Sequence, residues 1–124
     1  MAKSTRGMTW QDVCAHAKTL PGVEEGTSYG TPALRVKRGF LARLREDGET
    51  LVVGIDPGER PLLIEANPDV LFVTPHYENW PLVLVALPRA HPTLVRELIE
   101  DAWAEKASKR VVEAWIAERG GAGR

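Results

Sequence analysis

A chain of 124 residues with a single cysteine, Cys14, can have no internal disulfide, and it is long enough to bury a core without one. Its 16 lysines and arginines against 17 acids leave a formal charge of −1, which excludes a global pull on nucleic acid or anionic membrane; any polyanion must meet a local patch. No window approaches the ~18 apolar residues of a membrane span and no apolar run precedes Met8, so a single cytoplasmic domain over residues 1–124 is expected, with disordered tails at 1–8 and 119–124.

Thr9 opens the first helix, with Asp12 three residues on, the spacing of a capping box. Trp10, Val13, Cys14, Ala17 and Leu20 follow as one apolar stripe, and Pro21-Gly22 ends it. Residues 23–29 read as an extended entry with a short strand, broken at Gly30-Thr31-Pro32. Clear alternation comes next. Leu34 and Val36 share one face, opposite Arg35 and Lys37; beyond Arg38-Gly39, Phe40, Ala42 and Leu44 take the core side while Leu41, Arg43 and Arg45 face out. Asp47-Gly48 is a hairpin signal, and residues 51–55 form the returning strand.

Asp56-Pro57-Gly58-Glu59 reads as a helix start, but Pro61 removes an intrahelical donor and moves the helix proper towards residues 60–66, where Asn67-Pro68 stops it. Residues 70–73 and 82–87 are apolar at every position, as in strands covered on both faces, and flank a polar, aromatic tip at 74–81. His91 or Thr93, beside Pro92, caps a long helix carrying Leu94, Val95, Leu98, Ile99, Ala102 and Trp103. After Ala107-Ser108-Lys109-Arg110, a kink or a fresh start, Val111, Val112, Trp115 and Ile116 carry a second stripe, and Gly120-Gly121-Ala122-Gly123 is expected to be disordered. The order α-β-β-β-α-β-β-α plus a C-terminal helix predicts an α+β two-layer sandwich: an antiparallel sheet of about five strands with helices on one face. The other face is left for the C-terminal helix or a second subunit, hence a homodimer, to cover.

Leu20-Pro21-Gly22-Val23, Asp56-Pro57 and Thr74-Pro75-His76-Tyr77, within a pattern running from about Thr9 to Trp115, resemble the MmcQ/YjbR family. The resemblance implies a frataxin-like (CyaY-like) fold and DNA binding through a double-wing arrangement of hairpins. It brings no catalytic motif with it.

Five cations, Arg35, Lys37, Arg38, Arg43 and Arg45, fall in one hairpin, four of them on one face by alternation, which suits phosphate contact more than base-edge reading. Lys106, Lys109 and Arg110 form a second basic cluster. The plainer alternative is a solvated sheet face. A second candidate is a small-ligand or protein-interaction site at His76, Tyr77, Asn79 and Trp80, which Tyr29 would join if the segments meet; against it, aromatic residues usually pack. Cys14 lies in the apolar stripe, His16 stands about 200° around that helix, and Ser28 and Ser108 lack an elbow motif, so no enzyme and no cofactor is expected. His16, His76 and His91 lack ligand spacing, and the first helix holds one acid beside Lys18, so no metal is expected either.

Overall fold

A computed structural model describes residues 7–37 and 39–123. The first helix, α1 (Trp10–Ala17), begins in a closed capping box: the Asp12 amide donates to Thr9 Oγ1 at 3.1 Å and the Thr9 amide to Asp12 Oδ2 at 3.0 Å. Val13, Cys14 and Ala17 are buried on it, and Leu20 is buried in the turn that follows. The chain then forms an antiparallel meander of β1 (Val23–Ser28), β2 (Thr31–Val36), β3 (Gly39–Leu44) and β4 (Thr50–Gly54). Helix α2 (Arg60–Ala66) leads to a two-residue strand β5 (Leu71–Phe72) and, past a 3₁₀ turn at Pro75–Tyr77, to β6 (Leu82–Ala86). Helices α3 (Pro92–Lys106) and α4 (Lys109–Gly123) finish the chain.

The result is an α+β fold of four helices and a six-stranded antiparallel sheet in the order β1-β2-β3-β4-β6-β5. The sixth strand is the entry segment, long enough to pair along all of β2. The main core lies between sheet and helices, where Leu34, Val36, Ala42, Leu51, Val53, Val83 and Val85 meet Val13, Ala17, Val95, Ile99 and Trp103. Trp103 is fully buried and donates its indole N–H to the Pro21 carbonyl at 2.8 Å, which ties α3 to the turn after α1.

Four expectations are corrected. First, β3 carries an extra residue. Leu34 pairs with Ala42 but Arg35 pairs with Phe40, so Leu41 is a bulge and the alternation slips by one. Leu41 and Ala42 are therefore both fully buried in the core, whereas Phe40 sits half-buried outside it. Second, α4 does not wrap over the opposite sheet face. Its Val111, Val112 and Trp115 pack onto the same core as α3, with the Trp115 ring 5.1 Å from that of Trp103. Third, the loose N-terminal stretch ends before Gly7: the Gly7 amide donates to the Ala90 carbonyl at 2.8 Å and Met8 to Leu87 at 3.0 Å, leaving Met8 buried. The rest of that stretch, residues 1–6, and the terminal Arg124 lie outside the described residues. Fourth, α4 continues through the C-terminal glycines to Gly123.

Candidate nucleic-acid interface

The face of the sheet away from the helices has its own buried row. Ala33, Arg43, Val52 and Leu84 are in register across β2, β3, β4 and β6, and each is less than a tenth exposed. An arginine in that row needs partners, because a charge taken from water must have its donors satisfied. Arg43 Nη1 donates to Thr31 Oγ1 at 2.9 Å and Nη2 to the Tyr77 hydroxyl at 2.7 Å. The Tyr29 ring centroid lies 5.4 Å from the guanidinium carbon, within cation–π range. Glu46, itself mostly exposed, is 4.0 Å away.

Arg43 thus joins the two candidate sites. Tyr77 belongs to the 74–80 tip, which folds back to the sheet and is held by a residue that carried no signal in the sequence, Arg60. The Arg60 guanidinium donates to the carbonyls of Glu78 at 2.6 Å, Trp80 at 2.8 Å and Leu82 at 3.1 Å. The tip's backbone acceptors are thereby satisfied and its shape is set. His76 stands edge-on to Tyr77, ring centroids 4.7 Å apart; His76, Asn79 and Trp80 are exposed.

The other hairpin cations do not form one row, because the bulge and the turn interrupt the alternation. Arg35 shares the face of Arg43 but leans over β1, donating from Nη2 to the Thr27 carbonyl at 2.8 Å and filling the space a side chain at Gly26 would need. Lys37 is exposed in the two-residue β2–β3 turn at φ 51°. Arg38, beside it, lies outside the described residues. Arg45 follows the other end of β3 and is half-buried. Lys106, far away in sequence, lies across the β2–β3 turn, its Cδ 3.3 Å from where a Cβ on Gly39 would stand. Exposed Lys109 and Arg110 open α4 just beyond it. Among the described residues, none of Arg35, Lys37, Arg45, Lys106, Lys109 and Arg110 is in an ion pair within 4.0 Å.

Acids gather elsewhere. A cavity of about 200 Å³ between the end of β4, α2 and α3 is lined by Asp56, Glu59, Asp101 and Glu105 among apolar neighbours. Burial and then the surrounding Glu59, Glu97, Glu100 and Glu105 push the Asp101 carboxyl above its ordinary pKa. Burial likewise raises the Cys14 thiol. Among the described residues, no group of three or more His, Cys, Asp and Glu side chains is placed to hold a metal ion, and no helix is long and apolar enough to cross a membrane.

Comparison with known proteins gives a consistent picture. The YjbR family model matches residues 18–105. The chain is 34% identical over 130 residues to the uncharacterized protein Mb2600 of Mycobacterium bovis and to Rv2570 of Mycobacterium tuberculosis, spanning 90% of this chain and 98% of each relative. The crystal structure of Deinococcus radiodurans protein DR2400, a DUF419 domain, superposes with a TM-score of 0.69 over 90% of this chain and 88% of that one, at 22% identity, a likeness of fold.

Proposed function

The chain belongs to the YjbR family, and from that premise we propose that it binds DNA through phosphate contacts and acts as a binding module, not as an enzyme. The observation that carries this reading is the placement of Lys106 against the β2–β3 turn. It sets Lys106 beside the turn that bears Lys37, so two cations some 70 residues apart in sequence come close together there. Arg45 lies past the other end of β3, whose six residues span about 20 Å at ~3.3 Å per residue, and Arg35 reaches out over β1. That length spans several phosphates of one strand at ~3.4 Å of helix axis each. Arg43 is not among the contacts: its guanidinium is turned to Thr31 and Tyr77. The binding-module reading is supported by Cys14, a buried thiol whose raised pKa leaves little thiolate to attack a substrate.

Fluorescence anisotropy of labelled mixed-sequence oligonucleotides at two salt concentrations tests this. Four contacts, from Arg35, Lys37, Arg45 and Lys106, give a log–log salt slope of about −3.6 on duplex or about −2.8 on a single strand. Lys37→Glu and Lys106→Glu should each weaken binding and flatten the slope. Absence of binding at low salt, or binding indifferent to both reversals, would refute the proposal.

A further inference from the structure

We infer that the preferred nucleic acid is single-stranded, with bases stacking on the exposed rings of Tyr29 and Trp80; this rests on the phosphate-binding reading above and specifies its substrate. The starting point is an anomaly at Tyr29. Ser28 pairs with Thr31, so Tyr29-Gly30 is a two-residue hairpin turn, and both residues have positive φ, 55° and 79°. Positive φ at both central positions is the condition of a type I′ turn, which selects Asn, Asp or Gly because other side chains strain there. Gly30 fits. A tyrosine at the first position does not, and burial gives no compensation, since Tyr29 is 88% exposed with the Arg43 guanidinium 5.4 Å from its ring. A bulky ring held in a disfavoured backbone conformation and presented to solvent is the pattern of a functional contact.

The second observation is Trp80, 59% exposed at the far end of the tip. Its backbone is fixed on both sides, the amide donating to the Tyr77 carbonyl at 3.0 Å and the carbonyl accepting from Arg60. The two exposed rings stand towards opposite ends of the sheet, Tyr29 beyond Thr31 and Trp80 before Leu82, which pairs with Gly54, and the Arg43–Tyr77 hydrogen bond links their segments across the face that also carries Arg35. Fixed aromatic platforms beside a cationic track fit a strand whose bases are free of their complement; in a duplex the base faces are already stacked and inaccessible to either ring. Arg43 acts here as a positioning residue, holding the Tyr77 segment and the Tyr29 ring together beneath the strand.

The test is anisotropy of the full chain with a 12-nucleotide labelled oligothymidine and with a duplex of the same length, for wild type, Tyr29→Asn, Trp80→Ala and Lys37→Glu, with thermal unfolding run on each. The expected result is tighter binding of the single strand, lost about tenfold in each aromatic variant, with duplex binding unchanged and the Tyr29→Asn melting temperature not lowered. Equal affinity for both forms with neutral aromatic variants, while Lys37→Glu still weakens binding, would overturn the stacking inference and leave the phosphate reading standing. No binding by any form overturns both.

Discussion

Arg43 shows how much a single side chain decides here. Read from strand alternation it is an outward cation; in the fold it is 6% exposed and bonded to Thr31 and Tyr77. Its removal would take away the hydrogen bonds it gives to the Tyr77 and Thr31 hydroxyls, of which Thr31 keeps its own bond to the Ser28 carbonyl, and would empty the buried row, so Arg43→Ala should cost about 2–4 kcal/mol in urea unfolding. Arg43→Lys should recover only part of that, because an ammonium cannot span both acceptors as a planar fork does. At Tyr29 the sign is opposite. The left-handed conformation costs a bulky residue ~1–2 kcal/mol, more than the ~0.5 kcal/mol of an exposed cation–π contact, so Tyr29→Asn should raise the urea midpoint. Asp47 offers a pH signature. Its carboxylate accepts from the Glu49 amide, the Thr50 hydroxyl and the Thr50 amide, and these bonds hold its pKa below the ordinary 3.8. A depressed folded pKa contributes stability that is complete above the unfolded value and is lost as pH falls through the folded one. Unfolding curves between pH 5 and pH 2 should accordingly lose that component in Asp47→Asn.

Elements that depend on tertiary contacts depart furthest from their local pattern. Strand β5 has an apolar run of four to draw on, Val70 to Val73, yet pairs over only Leu71 and Phe72, because the chain leaves the sheet to fold the tip back onto it. Its partner β6 pairs along all five of its residues with β4 on its other side, and only at Leu84 and Val85 with β5. Helix α4 has weak amphipathicity and holds on through Trp115, Val111 and Val112, while Ile116 on its outer side is exposed. Trp115→Ala should therefore cost about 2–3 kcal/mol, below the range for a fully buried tryptophan. The measurement is urea unfolding followed by far-ultraviolet circular dichroism; a change under 1 kcal/mol would mean that α4 is not part of the cooperative unit.

At the scale of the molecule, the near-zero net charge conceals segregation. Carboxylates collect around α3 and the cavity beneath it, and unpaired cations collect on the β2–β3 hairpin and the α3–α4 junction. Such a distribution steers a polyanion to one surface and repels it from another, which net charge does not reveal. The acidic side bears a cost that can be measured. Asp101 has a raised pKa, so the native state binds its proton more tightly than the unfolded chain does, and stability falls as pH rises from 3.8 through the folded value. Asp101→Asn should stabilise the protein at pH 7 by up to ~0.5 kcal/mol, the scale of solvent-screened charge interactions, and the gain should vanish below pH 3.8.

Much of the fold was legible in the residues because its signals are local. The Thr9–Asp12 capping box, the Asp47-Gly48 turn, the displaced start of α2 and the His91 cap of α3 each involve groups within four residues of one another, and each stands in the structure. The family resemblance was legible as well, since its motifs are contiguous. What only the tertiary structure decided are the facts that need two distant segments at once. These are the bulge that buries Leu41, the burial of Arg43 against Tyr77, the grip of Arg60 on the tip, the docking of α4 on Trp103 and the arrival of Lys106 at Gly39. Side-chain periodicity can assign a residue to a face; whether that face meets water, a hydroxyl or another cation depends on chain closure across tens of residues, which no local pattern encodes.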